Sequence, residues 1–407
     1  MDKYECFVNF LKGMIGPGVL TLPLSFKQAG FIPASIMIFV IGLVNCYCMY
    51  QLVECSRYFI TKYNLNTIDY ATVSFYASNE IFKKDSKVSK ILPTIIWISL
   101  FSLQIGICSV FHVFVGSLSK ELFEKYFINI KYDVRMYYLI YLFPFAILVS
   151  FKSIRTLTIL NLAANLLLLI SLLSIFLKLS LSKFNLNGIT YFTNINGLFT
   201  ALGAIMYAFE GQALVIPLMN HMKEPKSMIG LTGVLPWVMI TVIIIAECSG
   251  IFGYLVYGDK VLSNIMMNLE YTIFLVSIKI IFTIVVFVSY LIQMFVPIDM
   301  MMPYIENFSK SKNQNINVIE NIVRILFVIL TTIISISIPN LNSIISLIGV
   351  TCGMLLALIC PAIIHTFTFL SPTINALKMI VINMSIVILG SIGIIFGLKS
   401  TIEDMIQ

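Results

Sequence analysis

Along this chain, hydrophobic positions neither alternate with polar ones nor recur only at helical spacing on one face. They run on continuously, in long stretches bounded by short clusters of charge, Gly and Pro. A helix crosses about 30 Å of hydrocarbon with roughly 20 such residues, so each stretch predicts a membrane-crossing helix. Eleven are predicted, over 7–29, 31–53, 91–118, 136–151, 157–181, 197–219, 231–256, 272–298, 321–338, 341–366 and 376–398. The fourth is short. A β-barrel would instead show strands of about 10 residues with alternating character, which is not the pattern here.

Composition agrees with an all-α membrane protein. The 407 residues are 59% hydrophobic and 11% charged, with mean hydropathy +0.97, proportions that the core of a soluble fold of this length cannot hide. The loops are too short for a separate soluble domain, so residues 1–407 read as one transmembrane domain in contact with a lipid bilayer. The formal charge of +7 then bears on topology and lipid contact, not on a nucleic-acid partner. With the N-terminus cytoplasmic, Lys3, Arg57, Lys62, Lys83, Lys84, Lys87, Lys90 and Lys152 are among the basic residues that fall inside. Fewer fall outside, among them Lys27, Lys120, Lys125 and Lys131, and this bias favours N-terminus in. The segment Met1-Asp2-Lys3-Tyr4-Glu5 is acidic and leads into a glycine-broken span, unlike a cleavable signal peptide. The eight cysteines lie in or beside apolar runs, which predicts small apolar thiols and not disulfides or a zinc site. Three histidines without ligand spacing predict no metal centre and no cofactor. His112 and His221 are expected near the membrane boundaries, and His365 near the inner end of span ten.

Two spans depart from the pattern in the same way. The first carries Gly13-Met14-Ile15-Gly16-Pro17-Gly18 at mid-depth and then Pro23; the sixth carries Phe209-Glu210-Gly211 and then Pro217. Gly and Pro in a helix interior remove backbone hydrogen bonds, which a lipid-facing segment cannot leave unmet. Both helices are therefore expected to be interrupted and buried. Their positions, one and six, predict two five-helix halves (about 7–181 and 197–366) with an eleventh helix (376–398) appended. Broken helices at matching positions of two halves point to a binding site at the bilayer midplane. Packing glycines of the small-xxx-small kind are the competing account, and they explain Gly13 or Gly203 better than they explain the matched pair.

The strings themselves resemble a known family. Asn9-Phe10-Leu11-Lys12-Gly13-Met14-Ile15-Gly16-Pro17-Gly18-Val19-Leu20-Thr21-Leu22-Pro23 is similar to the first helix of the amino acid/auxin permeases, most closely the proton-coupled amino acid transporter branch. Tyr207-Ala208-Phe209-Glu210-Gly211 and Pro217 to Pro225 continue the match, as do Ile338-Pro339-Asn340-Leu341 and Pro361-Ala362-Ile363-Ile364-His365. The resemblance implies a LeuT-like 5+5 inverted repeat with discontinuous helices 1 and 6, and secondary transport of amino acids. There are two departures. Asn9 stands where proton-coupled animal members carry a histidine, and Pro17 stands where a small hydroxyl residue is usual, which removes one N–H from a carboxylate cradle.

Candidate residues follow. Gly16 and Gly18 flank the first break, where free N–H groups can face a substrate carboxylate; packing alone is the alternative. Met14, Ile15, Pro17, Tyr207, Phe209, Gly211 and, more weakly, Ser289 are candidates to line or gate the site, with Tyr290 beside Ser289. Glu210 is a carboxylate deep in a span, which makes it a functional candidate by default. It carries a coupling proton, or pairs with a substrate ammonium, or makes a structural hydrogen bond. Glu247 is expected to be structural, paired with Lys279. Lys12 precedes the first break. In sodium-coupled relatives an asparagine at the matching position helps hold sodium, and an ammonium there would repel it; a lysine that snorkels to the interface is the other reading. The chain is thus expected to be a secondary transporter, not an enzyme. Its cargo is expected to be small neutral amino acids, moved with protons and without sodium by alternating access, in the plasma or the vacuolar/lysosomal membrane. A transporter-like amino acid sensor and an uncoupled facilitator are the alternatives.

Overall fold

The computed structural model describes residues 1–82, 86–126, 132–150, 154–230, 232–312, 315–370 and 374–406. Lys83, Lys84, Lys131 and Lys152, the predicted start of span seven at Leu231 and the predicted end of span four at Phe151 lie outside them. Among the described residues the secondary structure is helical throughout. Nine helices among the described residues are long and apolar enough to cross a membrane, and the bent pair Lys3–Met14 and Pro17–Ala29, counted as one span, makes a tenth. Each coincides with a predicted span. The predicted fourth span is Val134–Val149, apolar but only 16 residues long.

Several helices outrun their apolar stretches. Span two continues through Glu54, Arg57 and Lys62 as Phe31–Tyr63, because charge ends hydrophobicity without ending a helix. It stops at Asn64, which takes a left-handed conformation (φ 51°) and donates its N–H to the Ile60 carbonyl. Span eight runs Ile273–Lys312 and carries Pro297 and Pro303 inside it. A short helix that the apolar pattern does not reveal, Tyr70–Ile81, starts where the Asp69 side chain accepts the Thr72 N–H at 2.7 Å.

The chain forms two compact units. The first comprises Met1–Leu100, Leu186–Tyr254 and the chain from Ser346 onward; the second comprises Phe101–Asn185 and Leu255–Ile345. Spans one, two, six, seven and eleven and most of span ten fall in the first unit. Most of span three, with spans four, five, eight and nine, falls in the second.

In the first unit, span six packs on span ten backbone to backbone. A Cβ on Gly203 would lie 2.7 Å from the Ser346 Cα, and one on Gly349 would overlap the Gly203 carbonyl. The packing reading holds at Gly203, which meets backbone, and at Gly13, where a Cβ would overlap the Leu214 side chain. Span ten widens into π-helix at Gly349–Gly353 and again at Leu355–Ile359. Carbonyls in the second stretch are met by side chains: the Tyr70 hydroxyl donates to Leu356 at 2.7 Å and the Gln212 amide to Ala357 at 3.1 Å.

In the second unit, polar groups are paired inside an apolar interior. Lys279, fully buried, donates to Glu121 at 2.6 Å and lies 4.3 Å from the Tyr271 ring. The expected Lys279–Glu247 pair therefore does not form; Glu247, in the first unit, accepts from the Ser35 hydroxyl at 3.0 Å. Arg324 binds Glu320 at 2.6 Å and the Val149 carbonyl at 2.8 Å. His112 is fully buried in the middle of Ile91–Tyr126, with Nε2 2.9 Å from the Tyr138 carbonyl and its ring against Phe145. It thus lies in the interior of its helix and of the unit, and its Nδ1 has no hydrogen-bond partner among the described residues.

Candidate functional site

The break in span one lies between Met14 and Pro17. Ile15 and Gly16 are extended (Ile15 φ −81°, ψ 106°; Gly16 φ −131°, ψ −169°), and the two helical pieces meet at 47°. Beyond the break the chain restarts as a 3-10 turn, Pro17–Thr21, because Pro at the first position needs no acceptor. Two of its carbonyls are occupied: Thr21 Oγ1 donates to Gly18 and Ser249 Oγ to Val19, each at 2.7 Å. Among the described residues no acceptor meets the N–H groups of Gly16 and Gly18.

Span six is interrupted at the matching place. Ile195–Ala208 ends, Phe209, Glu210 and Gly211 leave the helix, and Gln212–Asn220 resumes. The freed Phe209 carbonyl accepts from Asn45 Nδ2 of span two at 2.8 Å, and Asn45 Oδ1 accepts from Gln212 Nε2 at the same distance. All three groups are buried. One side-chain bridge therefore holds the two sides of the break together. Neither Asn45 nor Gln212 is among the residues that sequence reasoning selects; two amides alone in apolar runs are the signal that was available.

The two breaks lie against each other. A Cβ on Gly211 would be 3.0 Å from Met14 Cγ, and one on Gly18 would be 2.8 Å from the Tyr207 ring. Lys12, Met14, Ile15, Gly16, Pro17, Gly18, Tyr207, Phe209, Glu210 and Gly211 thus all belong to the first unit and to its two interrupted helices. The two cradle glycines differ. A Cβ on Gly16 would meet no described atom within 4 Å, whereas Gly18 is filled by Tyr207. Phe209 is fully buried, with its ring edge 3.2 Å from where a Cβ on Gly42 would stand. Its side chain packs into the unit, and its backbone carries the polar contact.

Glu210 is the unusual group. Both carboxylate oxygens are buried and neither has a hydrogen-bond partner among the described residues. They lie near the Gln212 and Ala213 N–H groups at the start of Gln212–Asn220, which favour the charged carboxylate. The positive end of a helix favours a carboxylate, but an unbonded buried charge is costly, so this group has unspent capacity for a proton or a cation. Lys12, half-buried one turn before the first break, has no carboxylate within 4.0 Å among the described residues. Ser289 belongs to the second unit, where its hydroxyl donates to Val285 of its own helix at 2.9 Å. Tyr290 is buried there and shares a hydrogen with Thr331 at 2.7 Å.

An all-helical membrane chain with two interrupted helices joined at their breaks defines an integral multi-pass protein of the transporter class. The family model for transmembrane amino acid transporter proteins matches residues 4–403, and the chain belongs to that family. It is 24% identical over 419 residues to the proton-coupled amino acid transporter-like protein pathetic of Drosophila melanogaster, covering 99% of this chain and 85% of that one. It is 25% identical over 411 residues to the probable amino acid transporter skat-1 of Caenorhabditis elegans, covering 97% and 88% respectively. The family and these relatives are transporters, not enzymes.

Proposed function

We propose that this chain carries small neutral amino acids with protons, without sodium, by alternating access around the two breaks. In this reading eleven helices cross the membrane as a LeuT-like 5+5 inverted repeat, with spans one and six discontinuous. Its support is that spans one and six, and likewise two and seven, share one compact unit, while three, four, eight and nine share the other.

The observation that carries the reading is the pair of apposed breaks with Glu210 between the two pieces of span six. The N–H groups of Gly16 and Gly18, short of acceptors, would hold a substrate carboxylate, with the open side of Gly16 giving room. Glu210 would hold the proton when the site is closed and release it when water enters. Charge also limits the cargo. Apart from Glu210, the residues of the breaks are neutral, so a charged side chain would arrive without a counter-ion and lose several kcal/mol of solvation, roughly.

The test is uptake of labelled amino acids into proteoliposomes with an imposed pH gradient. The parent protein is expected to concentrate neutral amino acids. Glu210→Gln, which keeps shape but cannot titrate, is expected to exchange substrate while losing pH-driven accumulation. Accumulation equal to the parent's would place the proton elsewhere, with Glu247 next to be tested; loss of all binding would make Glu210 part of the substrate site. Equilibration without accumulation by the parent protein would mark an uncoupled facilitator.

A further inference from the structure

The charged end of span two lies apart from the breaks, and the transport reading makes no use of it. At about 1.5 Å per residue, Glu54 and Arg57 stand roughly 35 and 39 Å along the helix from Phe31, past the about 30 Å of hydrocarbon and at the depth of lipid head groups. A cavity of about 550 Å³ opens there within the first unit, lined by Tyr50, Glu54, Arg57, Tyr58, Lys62 and Phe369, among others. Five of these are on one helix face, at the three- and four-residue spacing that places side chains over one another.

Their charges are arranged unusually. Glu54 and Arg57 are one turn apart with opposite sign and do not pair; Glu54 instead turns to His365, with Oε2 3.4 Å from Nε2. The Arg57 guanidinium has no acceptor among the described residues, although it offers five donors. Lys62 is held at 2.6 Å by Glu80 and stands 5.3 Å from the Tyr58 ring. The wall holds two cations and one carboxylate, and Glu80, outside the lining, neutralises Lys62; Arg57 and Glu54 then stand side by side with opposite sign, which suits a zwitterion better than a simple anion. Tyr50 and Tyr58 add aromatic faces and hydroxyls at the interface level, where such rings favour mixed polar and apolar surroundings.

We propose that this cavity binds the zwitterionic phosphoethanolamine head group of a bilayer lipid. The phosphate lies on Arg57, with the Lys62 charge behind it, and the primary ammonium turns toward Glu54 and the tyrosine rings. An arginine fork matches phosphate geometry, and a carboxylate with an aromatic face matches an ammonium. The same chemistry is offered by soluble glycerophosphoethanolamine, and depth in the bilayer is what favours the lipid. The proposal does not depend on which substrate is carried.

The test is thermal stability and lipid retention, by native mass spectrometry, of the full chain in detergent with added phosphatidylethanolamine, phosphatidylcholine or phosphatidylglycerol. Phosphatidylethanolamine is expected to raise the melting temperature most and to be retained. Arg57→Gln is expected to weaken that binding roughly tenfold or more, and Arg57→Lys less. Glu54→Gln is expected to keep lipid binding but lose the preference over phosphatidylglycerol, a change of selectivity that a merely damaged fold would not give. Equal response to all three lipids, or full retention by Arg57→Gln, would overturn the site. Equal, Arg57-dependent stabilisation by glycerophosphoethanolamine without acyl chains would overturn the assignment to a lipid.

Discussion

Asn45 reaches from span two to the Phe209 carbonyl at 2.8 Å, and so closes the gap that an interrupted sixth span would otherwise leave in an apolar interior. A helix can be broken in the membrane only where something else meets its freed backbone groups. Here that partner is a neighbouring side chain, itself fixed by Gln212.

Asn45→Leu leaves the Phe209 carbonyl buried with no donor. It is expected to cost about 1–2 kcal/mol of stability and to lower transport. Gln212→Leu should cost at least as much, because Asn45 Oδ1 and the Ala357 carbonyl both lose their donor. The double variant should cost less than the sum, since Asn45 and Gln212 act as one bridge. Thermal unfolding of the purified single and double variants measures the coupling, and strict additivity would contradict the bridge.

The two glycines of the first break should respond differently. Gly16 has an extended backbone that any residue adopts and open space beside it, so Gly16→Ala and Gly16→Val are expected to insert normally and lose uptake at least tenfold, roughly. Gly18→Val would collide with the Tyr207 ring and is expected to lower folded yield as well. Surface expression and uptake, measured together, separate the two effects. Normal uptake by Gly16→Val would move the carboxylate site away from this break.

Gly349 and Gly353 lie one turn apart in span ten and make a paired test of backbone packing. A Cβ at 349 would overlap the Gly203 carbonyl, where no flexible side chain can give way. One at 353 would meet only the Ile348 carbonyl, at 3.5 Å. Gly349→Ala is expected to destabilise by about 1–3 kcal/mol or more, and Gly353→Ala to be close to neutral. Melting temperatures of the two variants should therefore differ clearly, and equal values would refute the close approach.

Lys12 bears on the coupling ion. In the proposed reading its ammonium, half-buried before the break and without a carboxylate within 4.0 Å among the described residues, would repel a sodium ion there. Replacing sodium with choline in the uptake medium should leave the rate nearly unchanged. A strict sodium requirement would rule out this role for Lys12.

What the sequence by itself determined is where the chain is apolar and where a helix cannot continue. Hydrocarbon leaves no alternative to helix for a long apolar run, so each predicted span coincides with a helix, and Gly-Pro-Gly in one and Glu-Gly in another mark the interruptions. Hydropathy set the span ends too early, because Arg57 and Lys62 change the solvent that a helix prefers without breaking its hydrogen bonds. Family membership was legible too, in the strings around both breaks. Pairing was not. That Lys279 meets Glu121 and not Glu247, that Gly18 serves packing while Gly16 stays open, and that Asn45 closes the sixth break all depend on which faces of separate helices meet. A lone polar residue in an apolar run announces that it must have a partner, since leaving it unbonded costs several kcal/mol, roughly. Only the tertiary structure decides which partner, because contacts between distant spans are fixed by packing geometry and leave no periodic trace in either span.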